Sequence, residues 1–280
     1  MTTQIPRPQR FRPGDPPPWS CLPADARRRL QLARVLAALD DAGRAGPPDP
    51  PAGAAGATGA VAPGATSAAA DDPADEPTGR AGVEPPRPRP VAADGFPFRF
   101  LFDPPPVSSA AVLVPLFEED GETRVVLTRR AATLRAHRGE ISFPGGRLEP
   151  AEGVVAAALR EAEEEIGLDP RTVRPVGFLQ ALSTVSSGAW ITPVVGVLPG
   201  RPSARPNPAE VARVFDVALA DLLADGVYHE ERWVAPGREV PGSPDGAYPV
   251  YFYEVATETV WGATGRMLTD LLAVVTGTAR

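Results

Sequence analysis

Lysine is absent from this chain, so all 28 of its basic residues are arginine. That usage reads as a coding bias rather than a functional choice. Cys21 is the sole cysteine, which excludes an intramolecular disulfide and cannot build a zinc site alone. His137 and His229 are the only histidines and neither has a partner at metal-ligand spacing, so no zinc is assigned. No apolar run approaches the ~18 residues of a membrane helix, and the start, Met1 to Pro8, lacks the apolar core of a signal peptide. A soluble, cytoplasmic protein is expected. Basic charge is also in deficit: a net charge of −7 and a pI near 5.0 argue against a general binder of nucleic acid or anionic membrane.

Large side chains are missing from residues 45–95, where Val61, Val83 and Val91 are the only sizeable aliphatics and no aromatic occurs. Such a stretch buries too little apolar surface to offset its ordering entropy, so it is expected to be a disordered Pro/Ala/Gly-rich linker. It divides the chain into an N-terminal extension, 1–44, and a folded domain, 96–280. Within the extension, Leu30, Leu32, Val35, Leu36 and Leu39 predict one amphipathic helix from Ala24 to about Arg44.

Order is expected to resume near Phe96. Ala110–Phe117 and Thr123–Thr128 read as strands joined by a hairpin loop with Gly121 at positive φ, and Pro115 suggests an edge or a bulge. Val173–Leu182, Trp190–Leu198 and Val250–Val255 read as further strands. Pro208–Leu223 mixes a short strand with a helix start, and Thr264 to about Val275 closes the chain as a helix. Strands interrupted by helices suggest a mixed sheet between helical layers.

The chain is richest in chemistry between Glu152 and Glu165, where five glutamates fall in fourteen positions. A helix is expected here, with Pro150 in its first turn and Gly167 as its stop. Val155, Leu159, Ala162 and Ile166 form one apolar stripe. Glu161, Glu164 and Glu165 cluster on another side, where like charges three and four residues apart repel unless a cation sits over them. A hard divalent ion with oxygen ligands, magnesium or manganese, suits that cluster.

The spacing is more specific than the charge. Gly146, Glu152, Arg160-Glu161, an aliphatic Ala162, Glu164-Glu165, Gly167 and Leu168 stand at the intervals of the Nudix box. The chain therefore resembles the Nudix hydrolases, which implies an α/β/α sandwich with a mixed sheet and metal-dependent hydrolysis of nucleoside diphosphate derivatives. Carried over position by position, the resemblance implies that Glu161, Glu164 and Glu165 bind the metal and that Glu164 or Glu161 accepts the water's proton. It also implies that Arg160 orients the cluster through Glu152 and that Gly145 and Gly146 shape the loop.

The flanks address the substrate. Val126-Leu127-Thr128-Arg129-Arg130-Ala131, then Arg135, Gly139 and Phe143-Pro144-Gly145-Gly146, resemble a second signature, that of the coenzyme A diphosphatase branch. Asn207-Pro208-Ala209-Glu210-Val211 and Val260-Trp261-Gly262-Ala263-Thr264-Gly265 extend the likeness over roughly residues 96–276. The implied reaction cleaves coenzyme A or acyl-CoA to 3′,5′-ADP and a 4′-phosphopantetheine. Arg130, Arg135 and Arg138 are candidates for gripping phosphate through paired hydrogen bonds. Glu140 departs from the branch's usual glutamine and needs a partner, for which Arg138 is the candidate. Glu210 either caps a helix or lends a carboxylate to the site. The alternatives are hydrolysis of ADP-ribose or NADH, and a nucleotide-binding or scaffold module whose catalytic core is incidental. The enzyme reading expects near-normal turnover without residues 1–95.

Overall fold

The computed structural model describes residues 5–44, 109–184, 189–234, 243 and 246–279. The expected linker at 45–95 and the expected onset of order near Phe96 lie outside them. In chain order the elements are β1 (Phe11–Pro13), α1 (Leu32–Asp41), β2 (Ser109–Glu119), β3 (Glu122–Arg130), β4 (Ile141–Ser142), β5 (Gly145–Arg147) and α2 (Val154–Ile166). There follow β6 (Arg174–Phe178), β7 (Leu182–Ser183), β8 (Trp190–Val197), β9 (Val211–Ala218) and α3 (Leu219–Leu222). The last are β10 (Tyr228–Val234), β11 (Ala247–Val255), β12 (Glu258–Trp261) and α4 (Gly262–Thr276).

Two sheets result. An eight-stranded sheet has the core order β4-β3-β2-β8-β6, with β5 on β2, β7 on β8 and β9 on β3. It is mixed, because β2 and β8 run parallel while its other pairs are antiparallel. β2 shows why it sits at the centre. Its apolar run is buried on both faces, with Ala111, Leu113 and Phe117 packing beneath α2 beside Ala157, Ala158, Ala162 and Ile166. Val112, Val114 and Leu116 face the other way, into a cluster with Leu268, Leu271, Leu272 and Val275 of α4 and with Val35 and Leu39 of α1. The result is the expected α/β/α layering. A four-stranded antiparallel sheet, β1-β10-β11-β12, completes the second layer. Among the described residues no helix is long and apolar enough to cross a membrane.

Four local expectations change. The N-terminal helix is shorter than expected: residues 24–27 form a single tight turn, Arg29 at φ 51° interrupts the run, and the helix proper is Leu32–Asp41. The catalytic-region helix begins at Val154 after Gly153, because Ala151 at φ 65° leaves Pro150 in the preceding turn. Pro115 lies inside a central strand rather than at an edge. Its ring faces a gap in the ladder: pairing to β3 ends at Leu116 and pairing to β5 begins at Val112, so no hydrogen bond is missed. The strand β10 was not expected, since Glu230 and Glu231 obscure its alternation although both are buried. The hairpin after β2 closes as expected, with Asp120 and Gly121 at φ 53° and 75°.

Candidate active site

The site is built by a strand, a turn and a helix in immediate succession. β5 pairs with the first residues of β2, so that Gly145 lies opposite Val112 and Gly146 opposite Ala111. Both glycines answer to close approach. A Cβ on Gly145 (φ 156°) would stand 2.4 Å from the Ala111 carbonyl oxygen, and one on Gly146 would stand 2.4 Å from Cδ of Glu161. The Glu161 carboxylate therefore lies directly over the Gly146 backbone.

Arg160 organises the acids around it. Its Nε and Nη2 donate to the two oxygens of Glu152 at 2.9 and 3.0 Å, a bidentate grip. Nη1 reaches Glu161 at 3.0 Å and Glu164 at 3.3 Å, and Nη2 also donates to the Arg147 carbonyl at 3.0 Å. The expected Arg160–Glu152 pair is thus present, and it ties α2 to the loop before it. The hydrogen bond from Arg160 holds Glu152 below the usual carboxylate range.

Glu161 and Glu165 sit in a different environment. Burial pushes the Glu161 carboxyl up, with Arg160 pulling back, and Glu164 and Glu210 adding to the rise. Glu165 is 2% exposed, and burial pushes its carboxyl up to about 7 despite the Gly145 N–H at 3.2 Å and Arg130 at 3.7 Å. Glu164 points outward, 56% exposed at its side chain. Among the described residues, no three acids, histidines or cysteines converge at ion-binding distance; Arg160 instead bonds Glu161 and the Gly145 N–H bonds Glu165.

Comparison with known proteins bears on this arrangement. A family model described as the NUDIX domain matches residues 107–236. The chain is 38% identical over 181 residues to an uncharacterized Nudix hydrolase, NudL, of Photorhabdus laumondii, covering 62% of this chain and 91% of that one. The chain belongs to the Nudix hydrolases. A second relative, Nudix hydrolase 22 of Arabidopsis thaliana, described as chloroplastic, is 39% identical over 176 residues, covering 59% of this chain and 55% of its own. A solved Ap4A hydrolase of C. elegans is 21% identical with a TM-score of 0.35, over 41% of this chain and 82% of that one. As a Nudix hydrolase the chain is an enzyme acting on diphosphate bonds, a chemistry for which the family uses divalent cations.

The chemistry of the candidate donors suits a hard cation, although their carboxylates do not converge on one point among the described residues. Every candidate is a hard oxygen donor, and Glu165, the most buried acid, lies against no closer cation than Arg130 at 3.7 Å. The flanking arginines divide. Arg130, at the end of β3, points to the α2 side of the sheet and touches Glu165. Arg135 and Arg138 are exposed on the segment between β3 and β4. Glu140 accepts from His137 Nδ1 at 2.9 Å, not from Arg138, whose Nε is turned back to the Leu134 carbonyl. The Glu140 hydrogen bond raises the His137 pKa. Glu210 precedes a strand rather than capping a helix, and its charge is felt by both Glu161 and Glu165. In the sequence it was marked by the Asn207–Val211 stretch of the likeness and by the apolar residues that follow it.

Proposed function

We propose that this Nudix hydrolase cleaves the diphosphate of coenzyme A or an acyl-CoA, releasing 3′,5′-ADP and the corresponding 4′-phosphopantetheine. The observation that carries the reading is the 3.7 Å contact between Arg130, an arginine of the upstream signature, and Glu165 of the glutamate set. One residue from each of the two sequence signals, 35 positions apart, meets the other at one spot. Magnesium or manganese would be held by Glu161, Glu164 and Glu165. When bound, the cation would neutralise the diphosphate and lower the pKa of a water for in-line attack at phosphorus.

The chain's own residues do the rest. Arg160 keeps Glu161 and Glu164 in register with the Gly145-Gly146 turn, and Glu161 or Glu164 accepts the proton of the attacking water. Arg130, beside Glu165, would meet the diphosphate, and Arg135 and Arg138, exposed on the segment between β3 and β4, would supply the grip on the 3′-phosphate. A cytoplasmic location belongs to the same proposal.

The test is mass spectrometry of products from coenzyme A, dephospho-coenzyme A, ADP-ribose and NADH with magnesium or manganese, beside a Glu164→Gln control. Coenzyme A should yield 3′,5′-ADP and phosphopantetheine, lost in the control, with dephospho-coenzyme A cleaved about tenfold or more less efficiently, as for one lost charged contact. Equal cleavage of dephospho-coenzyme A would remove the roles of Arg135 and Arg138. Turnover of ADP-ribose or NADH with none of coenzyme A would refute the substrate assignment.

A further inference from the structure

Residues 5–44 lie wholly outside the family match at 107–236, yet they run across both sheets. β1 extends the four-stranded sheet at β10. Trp19 is 1% exposed and stands edge-on to Tyr228 at 5.5 Å. Leu30 is fully buried, and its carbonyl accepts the Thr123 N–H at 2.8 Å. α1 then carries the chain to Arg44.

Arg44 holds the turn that follows β6. Its carbonyl accepts the Phe178 N–H at 2.8 Å, and its Nη2 donates to Asp270 Oδ1 at 3.0 Å. The other oxygen of Asp270 accepts the Gln180 N–H at 2.7 Å. Gln180 in turn accepts from Arg266, which also donates to the Tyr251 hydroxyl. Asp270 is therefore a shared acceptor between the N-terminal segment and one backbone turn.

That turn leads straight to the level of the catalytic glycines. Leu182 in β7 pairs with Ile191 in β8, Ile191 with Ala110 in β2, and Ala110 with Arg147 in β5. The four residues form one row across the sheet. Gly146 is in the next row, opposite Ala111 and Thr192. At ~4.8 Å per strand the row spans about 14 Å, so β7 borders the same end of the sheet as the reacting centre.

We propose that Arg44 and Asp270 form a clamp through which the N-terminal segment sets the 178–184 stretch as one wall of the substrate cleft. Both are positioning residues. They act on the part of the substrate beyond the diphosphate, through the backbone of Phe178 and Gln180. The proposal rests on reading the Gly145–Glu165 region as the reacting centre.

The test compares full-length Arg44→Ala, Arg44→Lys and Asp270→Asn with the parent by amide hydrogen exchange without ligand, and by steady-state kinetics on coenzyme A and ADP-ribose. Exchange across 178–184 should quicken about tenfold or more in Arg44→Ala and Asp270→Asn, with α2 and β5 unchanged, as loss of an ionic hydrogen bond implies. KM for the preferred substrate should rise about five- to tenfold with kcat within about twofold, and Arg44→Lys should fall between. Unchanged exchange at 178–184 would overturn the clamp. Faster exchange with unchanged KM would overturn its role as a wall. A parent protein that cleaves neither compound would defeat the substrate reading alone, leaving the exchange data to decide the clamp.

Discussion

Glu165→Gln should stabilise the metal-free protein above neutral pH. The side chain is 2% exposed, and its carboxyl titrates at about 7 where an ordinary glutamate titrates at 4.5. That difference corresponds to about 3 kcal/mol of preference for the neutral form. The folded-state pKa is raised, so the stability linked to this group is fully present below 4.5 and is lost as pH rises through about 7. Above pH 7 the folded protein carries a buried carboxylate that the unfolded chain solvates freely. Glutamine has the same shape, can still accept the Gly145 N–H, and never ionises. In a chelator, urea unfolding should show the two proteins within about 1 kcal/mol of each other at pH 5 and the variant more stable by about 3 kcal/mol at pH 8. Magnesium or manganese in excess should stabilise the parent and erase the difference, since an ion that binds only the folded state adds stability by mass action. A variant no more stable than the parent at pH 8 in chelator would refute the burial argument. Equal metal stabilisation of both proteins would refute Glu165 as a ligand.

Three further outcomes follow from the geometry. Arg160→Lys keeps the charge but loses the two-pronged grip on Glu152, so unfolding free energy should fall by about 1–3 kcal/mol; a lysine variant equal to the parent would show that charge alone suffices. Gly146→Ala places a methyl where the Glu161 carboxylate lies. The carboxylate is the end of a flexible chain, so stability should change by less than about 1.5 kcal/mol while turnover falls about a hundredfold, a split that paired denaturation and kinetic measurements would reveal. Trp19→Ala should cost about 3–5 kcal/mol in urea unfolding, as expected for a fully buried aromatic, and a negligible loss would show that the N-terminal segment is dispensable to the fold.

This last outcome bears on the expectation that residues 1–95 can be removed with little effect. Composition separates an apolar N-terminal run from the stretch after it, but it is silent on where Leu30, Val35 and Leu39 are buried. Val35 and Leu39 of α1 are buried in the cluster that holds α4, more than two hundred residues downstream, and Leu30 is buried where its carbonyl accepts the Thr123 N–H. The same limit explains β10, whose buried Glu231 is gripped by Arg7. Partners so distant leave no local pattern.

The site divides along the same line. The glutamates, Arg160 and the two glycines were legible because one turn and one helix bring them together: helical periodicity places residues three and four apart on one side, and Glu152 stands in the short turn before the helix. The pairing of Arg160 with Glu152 follows from that local geometry. The sequence alone thus determined the family, the loop-helix unit that carries the glutamates and the mixed α/β architecture. Only the tertiary structure decided which glutamate is buried, that Arg130 stands beside it, that Pro115 can occupy a central strand, and that residues 5–44 close the fold. Each of these depends on strands and helices from far along the chain meeting in a water-poor interior, where desolvation and cross-sheet register rather than sequence spacing set the energy.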